Sequence, residues 1–303
     1  MLATALGEAA GKYLLDPGVI EIMLNPDGKL WIDRLGLGRS FTGHVLSSAD
    51  AERVIFIVAS SIGTVCNRDA PLLSAELPVT GSRFQGILPP LSSNPIFTVR
   101  KKAIKIFTID NYVEQGILSS EHADLIRKAV LERKNILIVG GTGSGKTTLA
   151  NAILALIAET NDRVVIIEDT QELQCTAPDF VTLRTRDGVA TMIDLLRATM
   201  RLRPDRIVIG EVRGPEALAL LKAWNTGHPG GCATVHADSA LKGLSRLSQL
   251  VQEAGVSNAA PLIDQAIDLI VFIEKVGFGR KVTEVKMRDP ECGWSKSNVE
   301  GVR

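Results

Sequence analysis

The chain has 303 residues, 45% of them hydrophobic, and its 34 basic and 34 acidic residues leave no formal net charge. Such a length accommodates about two domains, and the neutral balance argues against a protein that grips nucleic acid through a global basic excess. Cys66, Cys175, Cys232 and Cys292 form no C-x-x-C pair, which disfavours a structural zinc or a disulfide framework and fits a reducing compartment.

In chain order, residues 1–16 read as a short amphipathic helix ended near Pro17. The opening MLATALGEAAGKYLL is unlike a signal peptide, and no run reaches the length of a membrane span, so a cytoplasmic protein is expected. VIEIMLN and KLWIDRL are strand-like and flank PDG, a hairpin-turn signal. SSADAERVIFIVASSIG begins with capping residues and continues with helical apolar spacing. PLLSAELPV, RFQGILPP and IFTVRKK supply three more strands. Residues 1–102 are therefore expected to form a mixed α+β N-terminal domain, with a linker over 103–118.

Beyond the linker, SSEHADLIRKAVLERK reads as a helix capped by Ser119 or Ser120. Apolar strands at 135–139, 163–168, 206–210, 231–236 and 268–274 then alternate with helices at 146–159, 189–202, 214–226, 239–254 and 258–267. That alternation predicts an α/β domain over 119–303 with a mostly parallel sheet covered on both faces.

The pattern G-x-x-x-x-G-K-[ST] runs from Gly140 to Thr147, after an apolar strand and before a helix. Such a loop turns its backbone amides onto phosphates. Gly141, Gly143 and Gly145 permit the tight turn. Lys146 reaches the β and γ phosphates, and the Thr147 hydroxyl suits Mg²⁺. The candidate contacts are Gly140, Gly141, Thr142, Gly143, Ser144, Gly145, Lys146, Thr147 and Thr148, with ATP as ligand.

Hydrolysis also needs a carboxylate near the phosphates. RPDRIVIGEVRG places Glu211 just past the carboxyl end of a buried strand, where open α/β sheets hold ligands. RVVIIEDTQEL repeats the arrangement with Glu168, Asp169 and Glu172. Three carboxylates this close repel one another unless Mg²⁺ or its waters compensate; Thr147, Glu211 and Asp169 are the candidate metal contacts. GHPGGCATVHADSA puts His236 at a third strand end, with Thr234 as a companion for sensing the γ phosphate. In RATMRLRPDR, helical spacing sets Arg197 and Arg201 on one face, and the run, with Arg203 and Arg206, reads as structural and intersubunit pairing rather than a nucleic-acid patch.

Taken together, GGTGSGKTT, IIEDTQEL, RLRPDRIVIGEVRGPEA and GHPGGCATVHADS resemble, in that order, the Walker A, Asp, Walker B and His boxes of the secretion-ATPase superfamily of type II and type IV secretion. EIMLNPDGKLWIDRLG, SAELPVTGSRFQGILPP and LLKAWNTGHPGG extend the resemblance toward the conjugal-transfer ATPases of type IV secretion, over residues 1–275. The resemblance implies a Mg²⁺-dependent ATPase with a RecA-like C-terminal domain, assembled as a homo-hexamer. It also implies cytoplasmic residence at the inner membrane, with secretion-channel components and a coupling protein as partners. By motif, Glu211 is the Walker B carboxylate, His236 the His-box residue and Glu172 the Asp-box glutamate, with Glu168 as its near rival. N-terminal arginines complete such sites, and Arg83 and Arg100 are the candidates. The absence of a four-cysteine zinc insert fits the type IV branch. A RecA-like DNA helicase or translocase is the alternative reading; neutral charge and few aromatics count against it.

Overall fold

The structure, a computed structural model, describes residues 7–78, 80–102, 107–186, 188–277 and 279–294, with side chains from residue 11 onward. Two compact units divide the chain, Met1–Ile104 and Lys105–Arg303.

In the first unit, helix α1 (Gly7–Leu15) leads into strands β1 (Val19–Leu24), β2 (Lys29–Arg34) and β3 (Gly38–Val45). Helix α2 (Ser48–Ser61) follows, then β4 (Leu72–Glu76), β5 (Arg83–Ile87) and β6 (Ile96–Arg100). The six strands pair antiparallel in the order β3-β2-β1-β6-β5-β4. Period-2 alternation drives the packing. Ile22 and Leu24 of β1, Leu30 and Ile32 of β2, Phe84 of β5 and Phe97 and Val99 of β6 join the face buried with Val54, Ile55 and Val58 of α2. The β1–β2 turn follows its residues: Gly28 takes φ +77°, and the Asp27 carboxylate accepts the Lys29 N–H at 3.0 Å. β3 was invisible to the alternation rule because GRSFTGHV has few apolar residues and lies half-exposed at the sheet edge.

The second unit opens with α3 (Ile109–Glu114) and α4 (Ser120–Leu131). Of the stretch read as linker, residues 103–106 lie outside the described residues. α3 within it is capped by Thr108 and Asn111, and its Ile109 and Tyr112 are buried in the second unit's core. The sheet then unfolds as β7 (Ile136–Gly140), β8 (Val164–Glu168), β9 (Phe180–Arg184), β10 (Arg206–Ile209), β11 (Cys232–His236), β12 (Leu269–Val276) and β13 (Gly279–Met287). Its order is β13-β12-β7-β11-β10-β8-β9, parallel throughout except at β12–β13.

Helices α5 (Lys146–Ala158), α6 (Met192–Thr199), α7 (Glu216–Asn225), α8 (Ala240–Glu253) and α9 (Ala260–Ala266) complete the unit. β7, β8 and β10 are buried along their whole length, and alternate residues feed two different cores. Ile136, Ile138, Val164, Ile166 and Val208 pack with α3, α4 and α5. Leu137, Val139, Val165, Ile167, Ile207 and Ile209 pack with α6 to α9. This is the two-faced covering that continuous apolar strands require.

The amino ends of the strands are locked by polar groups. Arg206, 1% exposed, donates from Nε to Asp162 Oδ2 at 2.6 Å and to the carbonyls of Val130 and Gly230, each at 3.0 Å. Asp162 also accepts from Arg133 and Thr160. Asn135 Oδ1 accepts the Gly230 N–H at 2.7 Å, and its Nδ2 donates to the Ala266 carbonyl at 2.8 Å. Arg206, expected to pair structurally, does so as the buried foot of the sheet. α6 ends at Thr199, so Arg201 lies beyond the helix that was to carry it beside Arg197. Cys66, Cys175 and Cys232 are free thiols, and burial pushes Cys232 up to about 12, away from reactivity.

Candidate active site

The carboxyl ends of β7, β11, β10 and β8, neighbours in the sheet, carry the four sequence clusters. β7 ends at Gly140, whose register partner on β11 is His236. An added Cβ at Gly140 would collide with the Ile273 carbonyl and meet Ser144 Oγ at 2.5 Å, so only glycine lets the chain turn here. Gly145 takes φ +98° at the start of α5. Lys146 Nζ donates to the carbonyls of Gly140 and Gly141, each at 2.9 Å, which folds the lysine back along the loop. Thr142 and Gly143 are exposed, whereas Gly141, Thr147 and Thr148 are half-buried around the loop mouth. The Ser144 hydroxyl is buried without a hydrogen-bond partner among the described residues. A glycine cradle at a helix start, with an orphaned hydroxyl inside it, fits a bound phosphate.

Glu211 stands two residues past β10 and is held by Arg213, whose Nη2 and Nε donate to Oε2 at 2.6 and 3.0 Å. Arg213 Nη1 also lies 3.6 Å from Asp169 Oδ2. Burial opposes the Arg213 charge, but Glu211, Asp169 and Glu172 together hold its pKa above the ordinary arginine value. The carboxylate repulsion that pointed to Mg²⁺ is thus met in part by a cation of the chain itself. Glu216 builds this turn: its Oε1 accepts the N–H of Arg213 at 2.7 Å and of Gly214 at 2.9 Å.

The two rival glutamates differ in setting. Glu168, 3% exposed, accepts the N–H groups of Glu172 and Leu173 on Oε1, at 3.0 and 2.8 Å. It anchors the loop that carries Glu172, which is itself half-buried. Asp169 is exposed and accepts from Thr185 Oγ1 at 2.9 Å. Asn151, one turn into α5, ties the same loop to the phosphate loop's helix. Its Oδ1 accepts the Gln174 N–H at 2.8 Å and its Nδ2 donates to the Glu172 carbonyl at 3.4 Å.

His236 is exposed at the end of β11. Its expected companion Thr234 is buried and donates to the Gly210 carbonyl at 2.7 Å. Thr234 joins β11 to the Glu211 turn rather than facing a ligand. In the first unit, Arg83 and Arg100 are direct cross-strand partners. Register extends the row across all six strands as Arg39, Asp33, Glu21, Arg100, Arg83 and Glu76. The Arg–Arg centre is a like-charge pair flanked by carboxylates.

A family model described as "Type II/IV secretion system protein" matches residues 83–287, a span containing all four boxes. The chain belongs to the type II/IV secretion ATPases. It is 51% identical to the conjugal transfer protein TrbB of Rhizobium radiobacter, over 94% of this chain and 88% of the relative. The VirB11 ATPase of the Brucella suis type IV secretion system, solved with sulphate, superposes with a TM-score of 0.51 at 25% identity, covering 94% and 95% of the two chains. The ATPase DotB of Legionella pneumophila shares the fold, with a TM-score of 0.64 at 20% identity over 92% of this chain and 80% of that one.

This secretion ATPase is a type IV secretion traffic ATPase. Among the described residues, no helix is long and apolar enough to cross a membrane, and no group of three or more His, Cys, Asp or Glu side chains forms a ready metal site. Sequence reasoning missed Arg213, Glu216 and Asn151. Arg213 and Glu216 lie inside the quoted Walker B stretch. Only the turn's geometry reveals their bonds.

Proposed function

We propose that this secretion ATPase works as a Mg²⁺-dependent homo-hexamer that powers conjugative type IV secretion, in pilus assembly, substrate transfer or both. The observation that carries the reading is the meeting of the phosphate loop, the Glu211 turn, the Glu172 loop and His236 at one edge of one sheet. Lys146, with Thr148 and the N–H groups of the loop, holds the phosphates of ATP. Thr147, with Glu211 and Asp169, would hold Mg²⁺. Mg²⁺, when bound, neutralises charge building on the β and γ oxygens.

Glu172 orients the attacking water in this scheme and Glu168 sets the Glu172 loop. His236, beside the first glycine of the loop, reports the γ phosphate to α8. Arg83 and Arg100 are the arginines of the N-terminal domain that meet developing phosphoryl charge; their pairing across β5 and β6 supports a shared anion. Residues 1–102 act as the moving domain, and the stretch KKAIKIFTIDNYVEQG, residues 101–116, is the candidate hinge. The partners are its own copies, inner-membrane components of the conjugation channel and a coupling protein, with the enzyme on the cytoplasmic face and no sequence-specific nucleic-acid contact.

The test is molar mass by light scattering together with ATP turnover, with and without Mg²⁺, for wild type, Lys146→Ala and Arg83→Ala, and with single-stranded DNA in parallel. The reading expects a six-fold assembly and Mg²⁺-dependent, DNA-independent turnover that both substitutions abolish. A monomer with DNA-stimulated turnover indifferent to Arg83 would replace it with a translocase.

A further inference from the structure

One contact to the phosphate loop comes from a part of the chain that no motif covers. Arg280 is the second residue of β13, and its Nε donates to the Gly143 carbonyl at 3.2 Å across 137 positions of sequence. Its stem lies over the loop: a Cβ at Gly145 would stand 2.8 Å from Arg280 Cδ and 3.3 Å from Nε. Gly145 is thus spared a side chain twice, by its φ of +98° and by the arginine seated on it. Among the described residues no carboxylate lies within ion-pair distance of Arg280. Two residues along, the Val282 N–H donates to the Ile117 carbonyl at 2.8 Å, which ties β13 to the turn after α3.

A trans peptide is planar, with its C=O and N–H pointing in opposite directions. The Gly143 carbonyl shares its peptide unit with the Ser144 N–H. That N–H donates to the Gly141 carbonyl at 3.3 Å, so this one peptide unit is held on both sides, from within the loop by Gly141 and from outside it by Arg280. Gly143 is exposed and takes φ +71°, so Arg280 adds a restraint from outside the loop at the residue with the most conformational freedom.

We propose that Arg280 is a positioning residue for nucleotide binding: it pins the Gly143–Ser144 peptide so that the phosphate loop is organised before the nucleotide arrives. Because Val282 on the same strand holds the turn after α3, β13 joins the loop to the first segment of the second unit. The proposal rests on the phosphate-loop reading of residues 140–148.

The test measures binding of a fluorescent ADP analogue and steady-state ATP turnover for wild type, Arg280→Ala, Arg280→Lys and Lys146→Ala. Arg280→Ala is expected to weaken analogue binding and raise KM by about ten-fold, the size of one hydrogen bond from a charged group, with kcat changed less than about two-fold. Arg280→Lys keeps the charge and the stem but not the Nε donor, so it should fall between the two. The thermal midpoint without nucleotide should stay at the wild-type value, because the bond is at the exposed surface. Wild-type binding by Arg280→Ala beside lost binding by Lys146→Ala overturns the proposal and leaves the phosphate loop standing. Wild-type binding by both variants overturns the phosphate-loop reading as well. A fall in kcat with KM unchanged, or a lowered midpoint that Arg280→Lys does not restore, also overturns it, in favour of a catalytic or a merely structural arginine.

Discussion

Arg213 grips Glu211 through two nitrogens, Nη2 at 2.6 Å and Nε at 3.0 Å, and reaches toward Asp169 with the third. The carboxylate expected to serve Mg²⁺ is therefore already facing a cation of its own chain. That makes Arg213 a competitor for the metal as well as a support for the acidic cluster.

Arg213→Gln leaves Glu211, Asp169 and Glu172 without that charge. The Mg²⁺ concentration giving half-maximal turnover should fall by a few-fold, since an uncompensated acidic cluster attracts a divalent cation more strongly. Arg213 is 58% exposed, so the effect should shrink as salt rises. Arg213→Lys should keep the wild-type value. A metal titration of turnover at two ionic strengths checks all three statements.

Glu168 and Glu172 should separate by what they damage. Glu168→Ala removes the acceptor of two backbone N–H groups at a buried position and should cost about 2 kcal/mol of stability. Glu172→Gln should leave stability within about 0.5 kcal/mol and lower kcat by about 100-fold, the usual worth of a positioned base. Urea unfolding of both variants beside their turnover decides the assignment; equal kcat for Glu172→Gln and wild type would return the role to another carboxylate.

The Arg206–Asp162 pair is a stability element with a pH signature. Arg206→Met leaves Asp162 buried with fewer donors and should cost about 3–5 kcal/mol at neutral pH. Burial alone would raise the Asp162 pKa, but the bonds from Arg206, Thr160 and Arg133 outweigh it and hold it below the ordinary 3.8. A carboxylate depressed in the folded state stabilises fully above its unfolded pKa and loses that contribution as pH falls through the folded value. The gap between wild type and Arg206→Met should therefore be widest above about pH 4 and narrow on acidification. Denaturant midpoints measured from pH 7 down to pH 3 give the test.

Much of the site was legible because phosphate chemistry constrains local sequence. Gly140 to Thr147 needs particular residues at particular spacings, and the strands ahead of Glu211 and His236 are continuous apolar runs that only a buried parallel sheet explains. The fold was legible for the same reason wherever the apolar period was strong. β3, β9 and β13 were not, because FVTLR and GRKVTEVKM lie toward the sheet edges, with much of each strand exposed. Long-range partners left no local trace at all: Asn151 reaching the Glu172 loop and Thr234 turned onto Gly210 are consequences of register. Arg206 was legible as a structural pairing residue, but not its partner, because Asp162 lies 44 positions away.

The measurement closest to the central claim is ATP hydrolysis by Glu211→Gln set beside its binding of a fluorescent ADP analogue. The account predicts wild-type nucleotide affinity and a kcat at least about 100-fold lower, the loss expected when the carboxylate at the phosphates keeps its shape but not its charge. Wild-type turnover by Glu211→Gln would contradict it, because the end of β10 would then not be the catalytic edge of this sheet.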